Sequence, residues 1–272
     1  MFLIVLFINF AAQIYTKTAP MGKKYDIIWY GTVDSTNTVA RNTLSVIDKM
    51  SVIAAEYQTA GRGQKGNVWS SEAGKNLTFS AAVRFGTGMF PKIPAQDQFA
   101  VSEAAAVAVS DCLAAYGITA SVKWPNDIIV RDRKICGILI ENTVRGAMLE
   151  GSVIGIGLNV NQTVFPPEVP NPTSMKRETG TEYSADSVLE KLAGTLSTIL
   201  GQLTDETAIG RLNGRYLSGL YWKDELHRFA DCISGEEFDG IIRGITPAAR
   251  LVVETAGGKT REFAFKEISY LR

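Results

Sequence analysis

The sequence is short of residues on which much enzyme chemistry depends. Its 272 residues hold one histidine, His227, which excludes a Ser-His-Asp centre in its usual form and any site built from several imidazoles. Cys112, Cys136 and Cys232 are odd in number, far apart and without C-x-x-C spacing. Neither a disulfide framework nor a thiolate zinc site fits them, and a reducing cytoplasm is the natural setting. There is no excess of charge: 28 Lys and Arg balance 28 Asp and Glu. Binding through nucleic-acid phosphates normally requires a basic surplus, so nucleic acid is not an expected partner. Long apolar runs are also missing, apart from MFLIVLFINF at the start. That run is too short to span a bilayer as a helix and lacks the basic flank of a signal peptide, so no membrane partner is expected. Residues 1–20 are therefore set apart as an apolar extension outside the fold.

What is present is a folding composition, with 46% hydrophobic and 9% aromatic residues, enough for a sizeable core. The stretch from Tyr25 to Tyr30 reads as a strand. Asp34-Ser35-Thr36-Asn37 is a capping cluster, and the helix after it is expected to carry Val39, Leu44, Val46 and Ile47. Strands are expected at 51–57 and 77–85, and a buried Ala/Val-rich helix from about Gln96 to Tyr116 closes on Gly117. Further strands are expected at 121–124, 127–131, 135–141 and 148–158, with antiparallel hairpins in the middle of that set. A proline-rich loop over 165–172 leads to helices at 184–203 and 205–220. After Asp224 short β runs separated by turns, including Gly257-Gly258, predict a small β barrel. Three units follow: the extension 1–20, a main domain 21–222 and a carboxy-terminal domain 223–272.

Three segments combine glycine with charge in a way that a core does not need. Gly61-Arg62-Gly63-Gln64-Lys65-Gly66 places backbone amides and two cations where an anion could sit, and it fits a solvated hairpin loop equally well. Lys123-Trp124-Pro125-Asn126-Asp127 interrupts a strand pattern and exposes two polar side chains, suited to a metal-bound phosphate or an amine; an ordinary turn is the other reading. Lys134 precedes an apolar strand with Gly137 placed where a ligand could lie on the backbone. Cys136 reads as a small core residue and His227 as a surface or interface residue. Trp29, Trp124 and Trp222 read as packing, and Trp69 as a ligand contact.

Taken together, Asp34-Ser35-Thr36-Asn37, Gln58 with Gly61 to Gly66 and Trp69, Lys123 to Asp127, Lys134 with Gly137, and Gly155-Ile156-Gly157-Leu158-Asn159-Val160-Asn161 resemble the biotin protein ligases. The match holds that family's order and spacing over about 25–162, in the short class without an amino-terminal DNA-binding domain. The resemblance implies an α+β fold: a mixed, largely antiparallel sheet with flanking helices, like class II aminoacyl-tRNA synthetases, and a small SH3-like barrel. It implies a ligase forming a carbon–nitrogen bond, of the biotin-[acetyl-CoA-carboxylase] ligase type. Such an enzyme makes biotinyl-5′-AMP from biotin and ATP, then transfers biotin to one lysine of a biotin carboxyl carrier domain. A lipoate ligase or octanoyl transferase of the same fold, and a non-catalytic biotin-binding protein, are the alternatives.

The same resemblance implies roles for residues. Ser35, Thr36 and Gln58 meet the ureido end of biotin, with Asn37, Gly61, Gly137 and Gly157 completing its pocket. Arg62 holds the biotin carboxylate and the adenylate phosphate, and Lys134 lies at the same mixed anhydride. Trp69 packs on adenine and Asn159 hydrogen-bonds it, with Gln64 and Lys65 also on the adenylate side. Asn126 and Asp127 serve Mg-ATP and the acceptor lysine, and Mg2+ arrives with ATP, not at a dedicated protein site. Arg62, Lys134 and Asp127 form the catalytic set. Many members of the family carry a basic side chain in place of Gln64, and the match loosens at Tyr270-Leu271-Arg272, so Arg272 receives no ATP role. The protein is expected to be a cytoplasmic monomer or weak homodimer.

Overall fold

Apolar and small residues alternate along most of the predicted strands, and that period of two builds the large sheet of this computed structural model, which describes residues 14–17 and 23–271. The apolar run 1–13, the Lys65 side chain and Arg272 lie outside the described residues. Eight strands take part: β1 (Ile14–Lys17), β2 (Tyr25–Val33), β3 (Met50–Gln58), β4 (Leu77–Arg84), β5 (Ser121–Lys123), β6 (Asp127–Val130), β7 (Arg133–Arg145) and β8 (Met148–Leu158). Their order is β1-β2-β3-β4-β8-β7-β6-β5. Only β2 and β3 run parallel, because the helix α1 (Thr36–Thr43) carries the chain across between them. The strand Ile14–Lys17 falls within the stretch set apart above, yet it pairs with Ile27 to Tyr30 at the sheet edge. Pairing of this kind uses backbone groups and leaves little pattern in the side chains.

One face of the sheet is closed by helices α2 (Phe99–Ala114), α4 (Ala185–Gly201) and α5 (Glu206–Ser218). Buried Ala100, Val101, Ala104, Ala105 and Ala108 let α2 approach closely, and it packs on β5 to β7 as well as on α4 and α5. Ser184 and Asp205 cap α4 and α5 by accepting from Ser187 and Ala208 backbone N–H groups. A short helix that the pattern did not reveal, α3 (Met175–Thr179), is capped by Ser174 and ended by Gly180 at φ 76°.

Helix α1 is shorter than expected. It ends at Thr43, where the Leu44 N–H turns back to the Arg41 carbonyl at 3.2 Å. Leu44 and Ile47 then pack from the following turn against Ile53, Ala82 and Val153, while Val46 is exposed. A packed turn partly buries Leu44 and Ile47 with the spacing of a helix, and only Val46 breaks the pattern.

Beyond Asp224 a second sheet, all antiparallel, has the order β12-β11-β10-β9-β13. Its strands are β9 (Leu226–Asp231), β10 (Glu237–Ile245), β11 (Leu251–Thr255), β12 (Thr260–Phe263) and β13 (Ile268–Leu271). Phe229, Ile242, Leu251, Val253 and Phe263 are its buried centre and join the core of the main sheet. The two units are stitched by Trp124 Nε1 donating to the Ala249 carbonyl at 3.2 Å and by Lys123 Nζ lying 4.5 Å from the Tyr270 ring centroid. Trp222 stacks on His227 at 3.8 Å between ring centroids. Among the described residues no helix is long and apolar enough to cross a membrane.

Candidate active site

The sheet face opposite the large helices carries α1 at one end and an open cleft at the other. Its floor is made by glycines. A Cβ at Gly157 would stand 2.3 Å from Trp69 Cε2, and one at Gly137 would stand 3.1 Å from Trp69 Cζ3, so the indole lies directly on two neighbouring strands. At Gly155 the same atom would be 2.2 Å from Asn37 Oδ1. Any larger residue at 155 or 157 displaces a wall of the cleft.

The basic glycine loop closes over this floor as a short hairpin. Gly63 N–H donates to the Asn67 carbonyl at 2.7 Å and Trp69 N–H to the Gly61 carbonyl at 3.1 Å. The anion-cradle and hairpin readings of the loop are thus compatible, since hairpin pairing points Arg62 and Trp69 at the cleft. Trp69 Nε1 and Gln64 Oε1 are buried without a hydrogen-bond partner, and buried polar atoms of that kind call for a ligand or an ordered water.

The polar wall comes from the start of α1, the end of β3 and the middle of β4. Gln58 Oε1 accepts from the Thr36 backbone N–H at 2.8 Å and lies 3.1 Å from Thr36 Oγ1. Thr36 Oγ1 is 2.7 Å from Ser80 Oγ, which donates to Asn37 Oδ1 at 2.5 Å. Ser35, Thr36 and Asn37 are all buried, so this network is shielded from water and holds each side chain in one place.

Two cations flank the cleft. Lys134 Nζ pairs with Asp127 Oδ1 at 2.7 Å and lies 6.0 Å from the Trp69 ring centroid. The proline-rich loop holds its backbone from both sides: Lys134 N–H donates to the Asn171 carbonyl at 2.8 Å, and its carbonyl accepts from Thr173 N–H at 2.9 Å. Arg62, on the opposite rim, reaches Thr38 Oγ1 at 3.3 Å and Glu141 Oε1 at 3.7 Å. Asn126 is locked to the floor, its Nδ2 donating to the Ile138 carbonyl at 2.9 Å and its own carbonyl accepting from Ile138 N–H at 2.9 Å. Cys136 beside them is fully buried, and burial pushes its thiol up, so it is a core residue and not a nucleophile.

One cleft therefore gathers Ser35, Thr36, Asn37, Gln58, Arg62, Gln64, Trp69, Asn126, Asp127, Lys134, Gly137 and Gly157. Three expected residues stand apart. The side chain of Lys65 lies outside the described residues. Gly61 is behind the hairpin, against the Trp69 carbonyl. Asn159 is buried at the end of β8 and does not line the cleft; its Nδ2 donates to the Thr173 carbonyl at 2.9 Å, fastening the loop that clamps Lys134. Sequence reasoning missed Gly155, Phe265 and Glu141. Gly155 and Glu141 share a strand face with residues already singled out, which period-two counting could have flagged. Phe265 arrives from the second sheet, and nothing local announces it. Among the described residues no group of three or more His, Cys, Asp or Glu side chains could hold a metal ion.

Comparison with known proteins is consistent with this geometry. The model of the biotin/lipoate A/B protein ligase family matches residues 29–159. Bifunctional ligase/repressor BirA of Salmonella typhimurium is 31% identical over 232 residues, which cover 83% of this chain and 68% of that protein. The same-named protein of Bacillus spizizenii is 33% identical over 181 residues, 65% of this chain, and the chain spans only about half of that relative's length, 53%. Biotin--[acetyl-CoA-carboxylase] ligase of Paracoccus denitrificans is 27% identical, with 83% of this chain and 93% of that protein aligned. Among solved structures, biotin protein ligase from Aquifex aeolicus superposes with a TM-score of 0.69 at 23% identity, covering 91% of this chain and 99% of that one. At that identity the likeness establishes the fold, which is the class II aminoacyl-tRNA synthetase-like α+β architecture with a second, carboxy-terminal sheet.

Proposed function

The chain belongs to the biotin/lipoate A/B protein ligase family, and from that premise we propose that it is a biotin protein ligase. It joins biotin to ATP as biotinyl-5′-AMP with release of pyrophosphate, then transfers biotin to a lysine of a biotin carboxyl carrier domain, in the cytoplasm, as a monomer or weak homodimer. The observation that carries the reading is the pair of cations Arg62 and Lys134 on opposite sides of a glycine-floored, polar-walled cleft. The names of its relatives, ligases for biotin, point to biotin over lipoate.

Biotin's carboxylate and the α-phosphate of ATP repel each other, so their approach needs positive charge between them. Arg62 and Lys134 supply it. The carboxylate oxygen attacks the α-phosphorus, the bond to the β-phosphate oxygen breaks, and pyrophosphate leaves with the Mg2+ that entered with ATP. Thr36, Ser35 and Gln58 hold the ureido ring through the fixed wall, and Trp69 offers its face and its unpartnered Nε1 to the nucleotide side. In the second step the neutral acceptor amine attacks the anhydride carbonyl, AMP leaves, and the amine's proton passes to a base. We assign the orienting of that amine to Asp127, a reading supported by its carboxylate lying in the cleft beside Lys134.

Isotope exchange between pyrophosphate and ATP, run with biotin and separately with lipoate, tests the reading. Biotin-dependent exchange followed by labelling of a carrier domain supports it. Exchange with lipoate alone overturns it, and biotin binding without exchange identifies a non-catalytic binder.

A further inference from the structure

Glu141 sits on β7 four residues beyond Gly137, on the same strand face, and was not among the residues expected at the site. Its carboxylate gathers three groups. Asn37 Nδ2 donates to Oε2 at 3.2 Å, Arg41 pairs with Oε2 at 2.5 Å, and Arg62 reaches Oε1 at 3.7 Å. Asn37 and Arg41 lie one turn apart on α1, so one carboxylate ties that helix to the hairpin loop over the cleft.

The contact with Asn37 has a consequence further along the wall. An ionised carboxylate only accepts hydrogen bonds, so Asn37 must turn its NH2 toward Glu141 and its carbonyl toward Ser80. Ser80 therefore spends its single proton on Asn37 Oδ1 and can only accept from Thr36 Oγ1, 2.7 Å away. Gln58 in turn faces the Thr36 backbone N–H with Oε1, leaving its NH2 for other partners. Donors therefore point one way from Thr36 Oγ1 through Ser80 and Asn37 to Glu141, while Gln58 Oε1 is fixed separately by accepting from the Thr36 backbone N–H. With Arg41 bound to the same carboxylate, Arg62 can leave for an anionic ligand without stranding a bare charge.

We infer that Glu141 is a positioning residue: it sets the hydrogen-bond polarity of the wall that meets the ureido ring and parks Arg62 at the rim until an anion arrives. The inference rests on the biotin reading above. An amide at position 141 can donate as well as accept, so both polarities of the wall become available and Arg62 loses its resting partner.

The test compares Glu141→Gln and Glu141→Asp with the parent protein in biotin-dependent pyrophosphate exchange. The probes are biotin and 2-iminobiotin, whose imino group places a donor where biotin has an acceptor. Glu141→Gln should raise KM for biotin about tenfold with kcat within about twofold, and should lower the preference for biotin over 2-iminobiotin by about tenfold, a pattern of lost binding and not of lost chemistry. Glu141→Asp keeps an acceptor-only group and should retain that preference even where its shorter reach raises KM. Unchanged KM and preference in Glu141→Gln would overturn the inference, as would equal loss of preference in both variants. Failure of the parent protein to exchange with biotin would overturn the ligase reading itself, before any substitution is made.

Discussion

The two faces of the large sheet are built from the same strands by opposite rules. Along β8, Ile154, Ile156 and Leu158 face the helices and are buried in the main core, whereas Val153, Gly155 and Gly157 face α1 and the cleft. Along β4, Leu77, Phe79 and Ala81 alternate in the same way with Thr78, Ser80 and Ala82. On the helix face, side chains fill the space. On the cleft face, side chains are withdrawn and the space is lined by backbone, hydroxyls and two cations. Strand periodicity thus separates stability from chemistry within single strands, and substitutions one residue apart should report on different properties.

The largest effect is expected at Lys134, the cation clamped between the proline-rich loop and Asp127. Lys134→Ala should lower adenylate formation by on the order of 100 to 1,000-fold while leaving the thermal midpoint nearly unchanged, because the side chain is partly exposed. Pyrophosphate exchange at saturating biotin, alongside a melting curve, measures both. Near-normal exchange in a folded variant would remove Lys134 from the reaction.

Arg62 comes next, and it separates forming the intermediate from keeping it. Its resting contacts with Thr38 and Glu141 are long, 3.3 and 3.7 Å, so they hold it at the rim yet yield to an anion. Arg62→Gly should still make biotinyl-adenylate but release it about 10 to 100-fold faster, by loss of a charge-assisted contact. The released mixed anhydride would then label lysines of unrelated proteins. Streptavidin blotting of a mixed lysate reads the outcome; a single carrier band at lower intensity would show that Arg62 only steers anions.

A pair of neighbouring substitutions on β8 tests the two-face comparison most directly. Gly155→Ala pushes a methyl into Asn37 Oδ1, 2.2 Å away, and should raise KM for biotin about tenfold by disordering the polar wall. Ile154→Val, one residue earlier and fully buried on the helix face, should cost about 1 kcal/mol of stability and leave kinetics alone. Urea midpoints and KM values for both proteins form a two-by-two readout. Stability loss without a KM change in Gly155→Ala would show that the cleft face is a packing surface after all.

The same division governs what could be read from the sequence. Periodic apolar residues located β2, β3, β4, β8, α2, α4 and α5 within a few residues, since burial writes itself into spacing. Edge strand β1 escaped because backbone pairing needs no regular pattern, β9 because only Phe229 along it is buried, and α3 because a single capped turn is too short to show one. Glycine next to charge pointed to Arg62, Lys134 and Gly137, residues that a core has no use for. Glu141 looked like an ordinary strand charge; only the fold reveals that it faces Asn37 and two arginines. The resemblance gives Asn159 a ligand role, and the fold adds that its Nδ2 donates to the Thr173 carbonyl, a contact invisible until the loop is placed.

The effect that leaves the cleft untouched concerns Glu103, a carboxylate buried on the helix face, where the packing rule is broken. Glu103 on α2 is 3% exposed, and burial pushes its carboxyl up from an ordinary 4.5 to about 7, although Asn213 Nδ2 donates to it at 2.6 Å. The folded protein therefore holds this proton more tightly than the unfolded chain does. Between pH 4.5 and 7 the folded state binds more protons, so stability falls as pH rises through that window, and the loss is complete above about 7. Glu103→Gln keeps an oxygen that can accept from Asn213 but never ionises. Relative to the variant, the parent protein should lose about 1 to 3 kcal/mol on going from pH 5 to pH 8, with the same cleft kinetics in both. Urea unfolding at the two pH values measures the difference. Parallel pH dependence in the two proteins would mean that water reaches Glu103 between α2 and α5, and that the helix face is less tightly closed than its buried alanines and leucines imply.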